Sequence, residues 1–217
     1  SLPTPLVEKW KAEGRYEAEM KELDEFFKKT GLAKTPKNYI IKWLTDYVRE
    51  YGVDGYRVDT VKHVEESAWN ELNKQAKTAF TEWKEANPEA VLDDNSFFML
   101  GELYGYSIDH KRFYDFGDKK VDYYANGFDN LINFQFKYDA KNDYETIFTK
   151  YDNILHNDLK GKSVMNYISS HDDGDPFDKA RTKPYESATK LLLTPGISQI
   201  YYGDETKRPL ILSLIHI

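Results

Sequence analysis

The feature that most limits the fold is an alternation along the chain. Short apolar runs, each about the length of a strand, are separated by longer stretches with helical periodicity. Strands are expected at 53–61, 97–102, 131–136, 163–170 and 197–202, with helices at 65–87, 143–156 and 185–193 between them. Short, apolar strands alternating with helices argue for a parallel sheet with helical crossovers, about five βα units here. The expected fold class is α/β, a partial TIM (β/α)8 barrel.

The stretch before the first strand is helical too. Tyr16, Met20, Leu23 and Phe27 recur at helical spacing, which predicts one amphipathic helix over 6–29. Thr35-Pro36 is a helix start, with a capping hydroxyl followed by Pro at the first position. Ile40, Trp43, Leu44, Tyr47, Val48 and Tyr51 then trace one apolar face, and Gly52 stands where a left-handed cap is expected.

Three segments follow from this reading. Residues 1–34 are the end of an inserted domain with its connecting helix. Residues 35–211 are the C-terminal part of a barrel. Residues 212–217 resemble the translation of a transposase adapter and are set apart as an adapter-derived tail. Both ends read as cut, so the chain is expected to be a fragment. Alone it would leave two sheet edges unpaired, and it is expected to be poorly folded and inactive.

Composition removes some partners. The net charge is −7, and basic residues are mixed with acids along the chain, so nucleic acid is not an expected partner. There is no apolar run long enough to span a membrane. With no cysteine, disulfide and thiolate chemistry are excluded. The 17 Tyr, 12 Phe and 4 Trp exceed what packing needs and suit sugar binding, because flat rings stack on pyranose faces; an aromatic-rich core would use them equally well.

In barrels of this class the active site lies at the C-terminal strand ends. Carboxylates stand there. Asp59 ends the first strand, and Arg57, two residues before it, points the same way. A guanidinium beside a carboxylate keeps it ionised, and an ionised carboxylate is a nucleophile for an anomeric carbon. Lys62 and His63 follow at the mouth and can donate hydrogen bonds to sugar hydroxyls. Glu102 ends the second strand after a mostly apolar run. Burial disfavours the charged form of a carboxyl, as a general acid at neutral pH requires. Tyr104 and Tyr106 follow and are candidates to stack on sugar. His171-Asp172 ends the fourth strand. The imidazole can bond a hydroxyl, and Asp172 can oppose developing positive charge. A His-Asp pair is also a common metal-ligand pair, but no second His has suitable spacing. Two carboxylates about 5–5.5 Å apart across a glycosidic bond would fit retaining hydrolysis.

These segments resemble the α-amylase superfamily, glycoside hydrolase family 13, over a piece covering roughly barrel strands four to eight. Gly55-Tyr56-Arg57-Val58-Asp59-Thr60-Val61-Lys62-His63 resembles its fourth-strand motif. Gly101-Glu102 is similar to the fifth-strand motif and His171-Asp172 to the seventh. The stretch 194–205 is similar to the segment leading through the eighth strand, and Leu2-Pro3 to a short motif near the end of the inserted domain. The resemblance implies a retaining hydrolase that cleaves α-glucosidic bonds in starch-like α-glucans by double displacement. It makes Asp59 the nucleophile, Glu102 the acid/base and Asp172 the third acid. Arg57, Lys62, His63, Tyr104 and His171 would bind or orient substrate.

The resemblance also implies a structural calcium ion with the His63 carbonyl among its ligands, in a site incomplete in this chain. The third-strand motif D-x-x-x-N-H is not found, and Ser170 stands where the family has Asn. A transglycosylase of the same superfamily shares every residue named here. A metal-dependent hydrolase and a non-catalytic sugar-binding homologue also stay open at this point. A secreted or periplasmic full-length protein is expected, with a cytoplasmic one as the alternative.

Overall fold

The computed structural model describes residues 2–210. The tail expected at 212–217 lies outside the described residues. The chain divides into two compact units, one formed by residues up to 55 together with 67–97, the other by 56–66 together with 98 onward.

The first unit is helical: α1 (Thr4–Ala12), α2 (Tyr16–Thr30), α3 (Pro36–Tyr51) and most of α4 (Glu66–Ala86). The helix expected over 6–29 is two helices. The chain breaks at Gly14, whose φ is +71°, and Arg15 stands at the start of α2. α3 begins as its sequence demands, with the Thr35 hydroxyl accepting the Asn38 N–H and Pro36 at the first position.

The buried stripe of α3 differs from the expected one. Of the six apolar residues traced above, only Val48 is buried; Ile40, Tyr47 and Tyr51 are exposed. Tyr39, Ile41, Lys42 and Thr45 take the inner positions instead. Lys42 fits there because its ammonium meets Glu22 at 3.0 Å and Asp46 at 2.7 Å while its stem packs inside. Hydrophobic periodicity cannot see a lysine used in this way. Ring contacts complete the unit, including Phe27 edge-on to Tyr39 at 5.1 Å and Phe80 stacked on Trp83 at 6.1 Å.

The second unit is built on a sheet. Its strands are β1 (Gly55–Val58), β2 (Phe98–Gly101), β5 (Asn130–Asn133), β6 (Ser163–Tyr167) and β7 (Ile197–Gln199), in that spatial order. The pairs β2–β5, β5–β6 and β6–β7 are parallel. A separate antiparallel hairpin, β3 (Tyr114–Asp115) with β4 (Lys120–Val121), rises from the loop after β2. Periodicity does not reveal that hairpin, because two-residue strands are too short to show a period. Helices α5 (Phe136–Asp139), α6 (Tyr144–His156) and α7 (Pro184–Leu193) complete the unit. The strand expected over 131–136 ends at Asn133, since Phe136 already belongs to α5. None of the helices is long and apolar enough to cross a membrane, among the described residues.

Both faces of the sheet's centre are covered, so β5 and most of β6 are buried at every position. One face carries Leu100, Ile132, Phe134, Met165 and Tyr167 as a packed cluster. Each fully buried side chain of this size is worth about 1.5–3 kcal/mol. The other face carries a polar ladder. Asn133 donates to the Asn166 side chain at 2.9 Å and to the Tyr151 hydroxyl of α6 at 2.8 Å. Oδ1 of the same Asn133 side chain accepts the Ile108 and Gln135 N–H groups. Buried amides persist only when bonded in this way.

Candidate active site

The C-terminal ends of β1 and β2 are stitched together by three hydrogen bonds to one residue. The Glu102 N–H donates to the Val58 carbonyl at 2.7 Å, and the Val61 N–H donates to the Glu102 carbonyl at 3.0 Å. The Thr60 N–H donates to Glu102 Oε2 at 2.7 Å. The Glu102 carboxylate therefore sits against the residue next to Asp59. Glu102 is half-buried rather than enclosed.

This contact needs an unusual backbone. Thr60 takes φ 49° and ψ 42°, the left-handed region, which is rare for a β-branched residue. The turn then closes as a single 3-10 turn, Val61–His63, with Val61 fully buried as its plug. Such strain persists only where surrounding contacts hold it, and it gathers at functional sites.

Arg57 and Asp59 share a side of β1, as their spacing predicts, and Arg57 Nη1 donates to Asp59 Oδ1 at 2.5 Å. Both are exposed to solvent. Lys62 reaches the Tyr104 carbonyl at 3.2 Å, and its ammonium lies 5.1 Å from the centre of the Tyr104 ring. His63 is exposed, with its N–H closing the turn on the Thr60 carbonyl at 3.0 Å. The Arg57–Asp59 pair, the Glu102 carboxylate and the Lys62–Tyr104 contact thus all lie just beyond the ends of β1 and β2.

Gly101 explains how β2 comes so close. A Cβ there would meet Leu131 and Phe128 at 2.9 Å. A larger residue at this strand end would have to displace those two side chains or shift β2.

His171 and Asp172 lie in the loop after β6, with His171 Nε2 2.8 Å from Asp172 Oδ2. Between them and the first group runs an aromatic line. Tyr104 meets Phe134 edge-on at 5.5 Å, and Phe134 meets Tyr167 edge-on at 6.0 Å. This line crosses the strand ends from β2 over β5 to β6. Sequence reasoning misses Phe134, although it follows β5 with the parity of Ile132, and alternation could have found it.

Tyr106 is a correction. It is fully buried, its hydroxyl donating to the Lys111 carbonyl at 2.8 Å and lying 3.0 Å from the Tyr124 hydroxyl. Burial pushes its phenol well above the usual range. It cannot stack on a sugar. Exposed Tyr104, two residues earlier, can.

The resemblance implies a calcium ion with the His63 carbonyl among its ligands. The ion takes six to eight oxygen ligands. Among the described residues, no group of three or more His, Asp or Glu side chains converges on a point.

The family model for the α-amylase catalytic domain matches residues 27–209. The chain belongs to the α-amylase family. A periplasmic α-amylase of Escherichia coli (strain K12) is 41% identical over 178 residues, which is 81% of this chain and 24% of that protein. An Anoxybacillus α-amylase structure is 26% identical with a TM-score of 0.55, covering 82% of this chain and 37% of that one. The α-amylase of Geobacillus thermoleovorans, solved with acarbose, is 22% identical with a TM-score of 0.60 over 80% of this chain and 37% of that one. The chain thus spans well under half the length of each of these relatives. The α/β sheet of parallel strands is the part of the amylase barrel fold that it shares with them.

Proposed function

We propose that this α-amylase-family chain carries the catalytic centre of a retaining glycoside hydrolase acting on α-glucans by double displacement. One observation carries the reading: the Glu102 carboxylate is hydrogen-bonded to the N–H of Thr60, the residue that follows Asp59, whose own carboxylate is held by Arg57. Two carboxylates on adjacent strand ends, one tethered and one gripped by a guanidinium, suit the two jobs of a retaining glycosidase.

Asp59 would attack the anomeric carbon as the glycosidic bond breaks, with Glu102 delivering its proton to the departing oxygen. A glycosyl ester on Asp59 results. Glu102, now a carboxylate, would take a proton from water as that water attacks the same carbon and frees Asp59. Asp172 would face the developing positive charge and hold ring hydroxyls together with His171. Arg57 would orient Asp59. Lys62, His63 and Tyr104 would bind sugar on the leaving-group side, with Tyr104 offering its exposed face.

Relatives support the substrate class: the Geobacillus enzyme was solved with acarbose, and another relative with maltotriose at a TM-score of 0.54. Residues 35–211 would supply the later strands of the barrel and 1–34 the connection into it. The E. coli relative is periplasmic by name, which supports that location for the full-length protein.

The test is made in the full-length protein with amylose as substrate. Asp59→Asn is expected to lower kcat by more than about 10⁴-fold while the thermal transition stays in place. Hydrolysis that survives the substitution removes Asp59 from the reaction.

A further inference from the structure

The loop bearing His171 and Asp172 is closed at its base, where its two ends meet, by groups that do not involve its tip. Ser169 Oγ donates to Asp204 Oδ1 at 2.6 Å, and the Phe177 N–H donates to the Ile168 carbonyl at 3.0 Å. Inside the loop, next to Asp172, stands Asp173. That carboxylate is 8% exposed and receives Lys137 Nζ at 2.6 Å, from a lysine side chain that is itself 10% exposed. Oδ1 of Asp173 also accepts the Asp175 N–H at 2.9 Å.

Lys137 is presented rigidly. It stands on α5, the single turn that follows β5. Phe136 beside it is fully buried and packs edge-on against Tyr151 at 5.6 Å. Asp139, on the same turn, accepts from the Tyr151 hydroxyl and from Lys150, each at 3.0 Å. The ammonium is therefore held in place by the β5–α6 side of the unit. It reaches across to a residue directly adjacent to Asp172.

A buried ion pair adds little net stability, because desolvating both charges offsets their attraction. Hydrophobic side chains would fill the space as well. What the pair does supply is a fixed direction and distance between two loops. Burial works against the charge on Lys137, yet contact with Asp173 outweighs it and holds the ammonium above its ordinary pKa.

We infer that Lys137 is a positioning residue which, through its buried ion pair with Asp173, holds the His171-Asp172 loop in register with the strand ends that carry Asp59 and Glu102. The inference rests on the proposed hydrolytic reading. Lys137 touches neither of the proposed reacting carboxylates; it acts through Asp173 alone.

Lys137→Met, Lys137→Arg and the charge-free double variant Lys137→Met/Asp173→Asn are compared in the full-length protein. Two readouts are used: kcat and KM on a maltooligosaccharide, and local hydrogen exchange by mass spectrometry. Lys137→Met is expected to lower kcat by about 10–100-fold with KM changed by less than about threefold, since small misplacements cost that much. Exchange should rise in peptides spanning 169–177 and stay unchanged in those from α2 and α3. Lys137→Arg should recover most of the loss. If Lys137→Met does not fold, the double variant, which leaves no unpaired buried charge, must show the same kcat loss. Wild-type kcat in either folded variant, or faster exchange spread evenly over the protein, overturns the inference. The exchange readout needs no activity, so an unmutated protein that fails to hydrolyse α-glucan contradicts the function reading without touching the Lys137–Asp173 anchor.

Discussion

The backbone N–H of Thr60 donates to the carboxylate of Glu102 at 2.7 Å, across two strands that sequence places 42 residues apart. The bond exists because Thr60 adopts a left-handed conformation at φ 49°. Holding a β-branched residue there costs on the order of 1–3 kcal/mol. Glycine escapes that cost. Thr60→Gly is expected to stabilise the protein by about 1 kcal/mol in chemical denaturation. Equal or lower stability would show that the turn is not strained. Thr60→Pro removes the donor, and its ring holds φ near −65°, so it should destabilise.

Gly101 makes a second demand on the same corner. A methyl group there would press on Phe128 and Leu131 at 2.9 Å, both buried and backed by the sheet. Gly101→Ala is expected to cost about 1–3 kcal/mol by overpacking. It should also lower kcat, because β2 must move and Glu102 moves with it. A variant with unchanged stability and kcat would mean that the corner is looser than its packing implies.

Lys42 tests how a buried lysine is held. Its side chain is 5% exposed, whereas its partners Glu22 and Asp46 are 61% and 35% exposed. Removing the lysine returns two carboxylates to water. Removing both carboxylates strands an ammonium inside. Lys42→Met should therefore cost less than about 1 kcal/mol, and Glu22→Gln/Asp46→Asn about 3 kcal/mol. The opposite order in urea denaturation would contradict this account.

Glu82 gives a pH signature within the helical unit. Burial favours its neutral form, but Arg49 at 2.7 Å and Lys29 outweigh it and hold the carboxyl below its ordinary value. A carboxyl whose folded pKa is depressed contributes stability above its unfolded value and loses it as pH falls through the folded one. Glu82→Gln should thus be less stable than wild type near neutral pH, by about 1 kcal/mol or less. The gap should close as pH falls below about 4.3. A gap that stays constant down to about pH 3 would remove the ion pairs as its cause.

Much of the candidate site's local geometry was legible because apolar runs and the carboxylates that follow them stand plainly in the sequence. Apolar runs ended at Glu102 and Asp59, and a two-residue spacing put Arg57 beside Asp59, where the structure has it. The missing parts depend on contacts distant in sequence. Nothing local in Thr60 announces a left-handed turn, because Glu102 and the buried Val61 impose it. Tyr104 and Tyr106 look alike in sequence. One is exposed and one is fully buried, since the hairpin region brings Tyr124 over the second. Lys42 and Lys137 read as surface charges until their partners, Glu22 at 20 residues' distance and Asp173 at 36, come into place.

The central claim is a covalent bond between sugar and Asp59. The direct measurement uses the full-length protein, incubated with a ring-fluorinated α-glucosyl fluoride that slows release of the intermediate and then digested for peptide mass spectrometry. A glycosyl ester on Asp59, absent from Asp59→Asn, is the predicted result. An ester on Glu102 or Asp172 would contradict it.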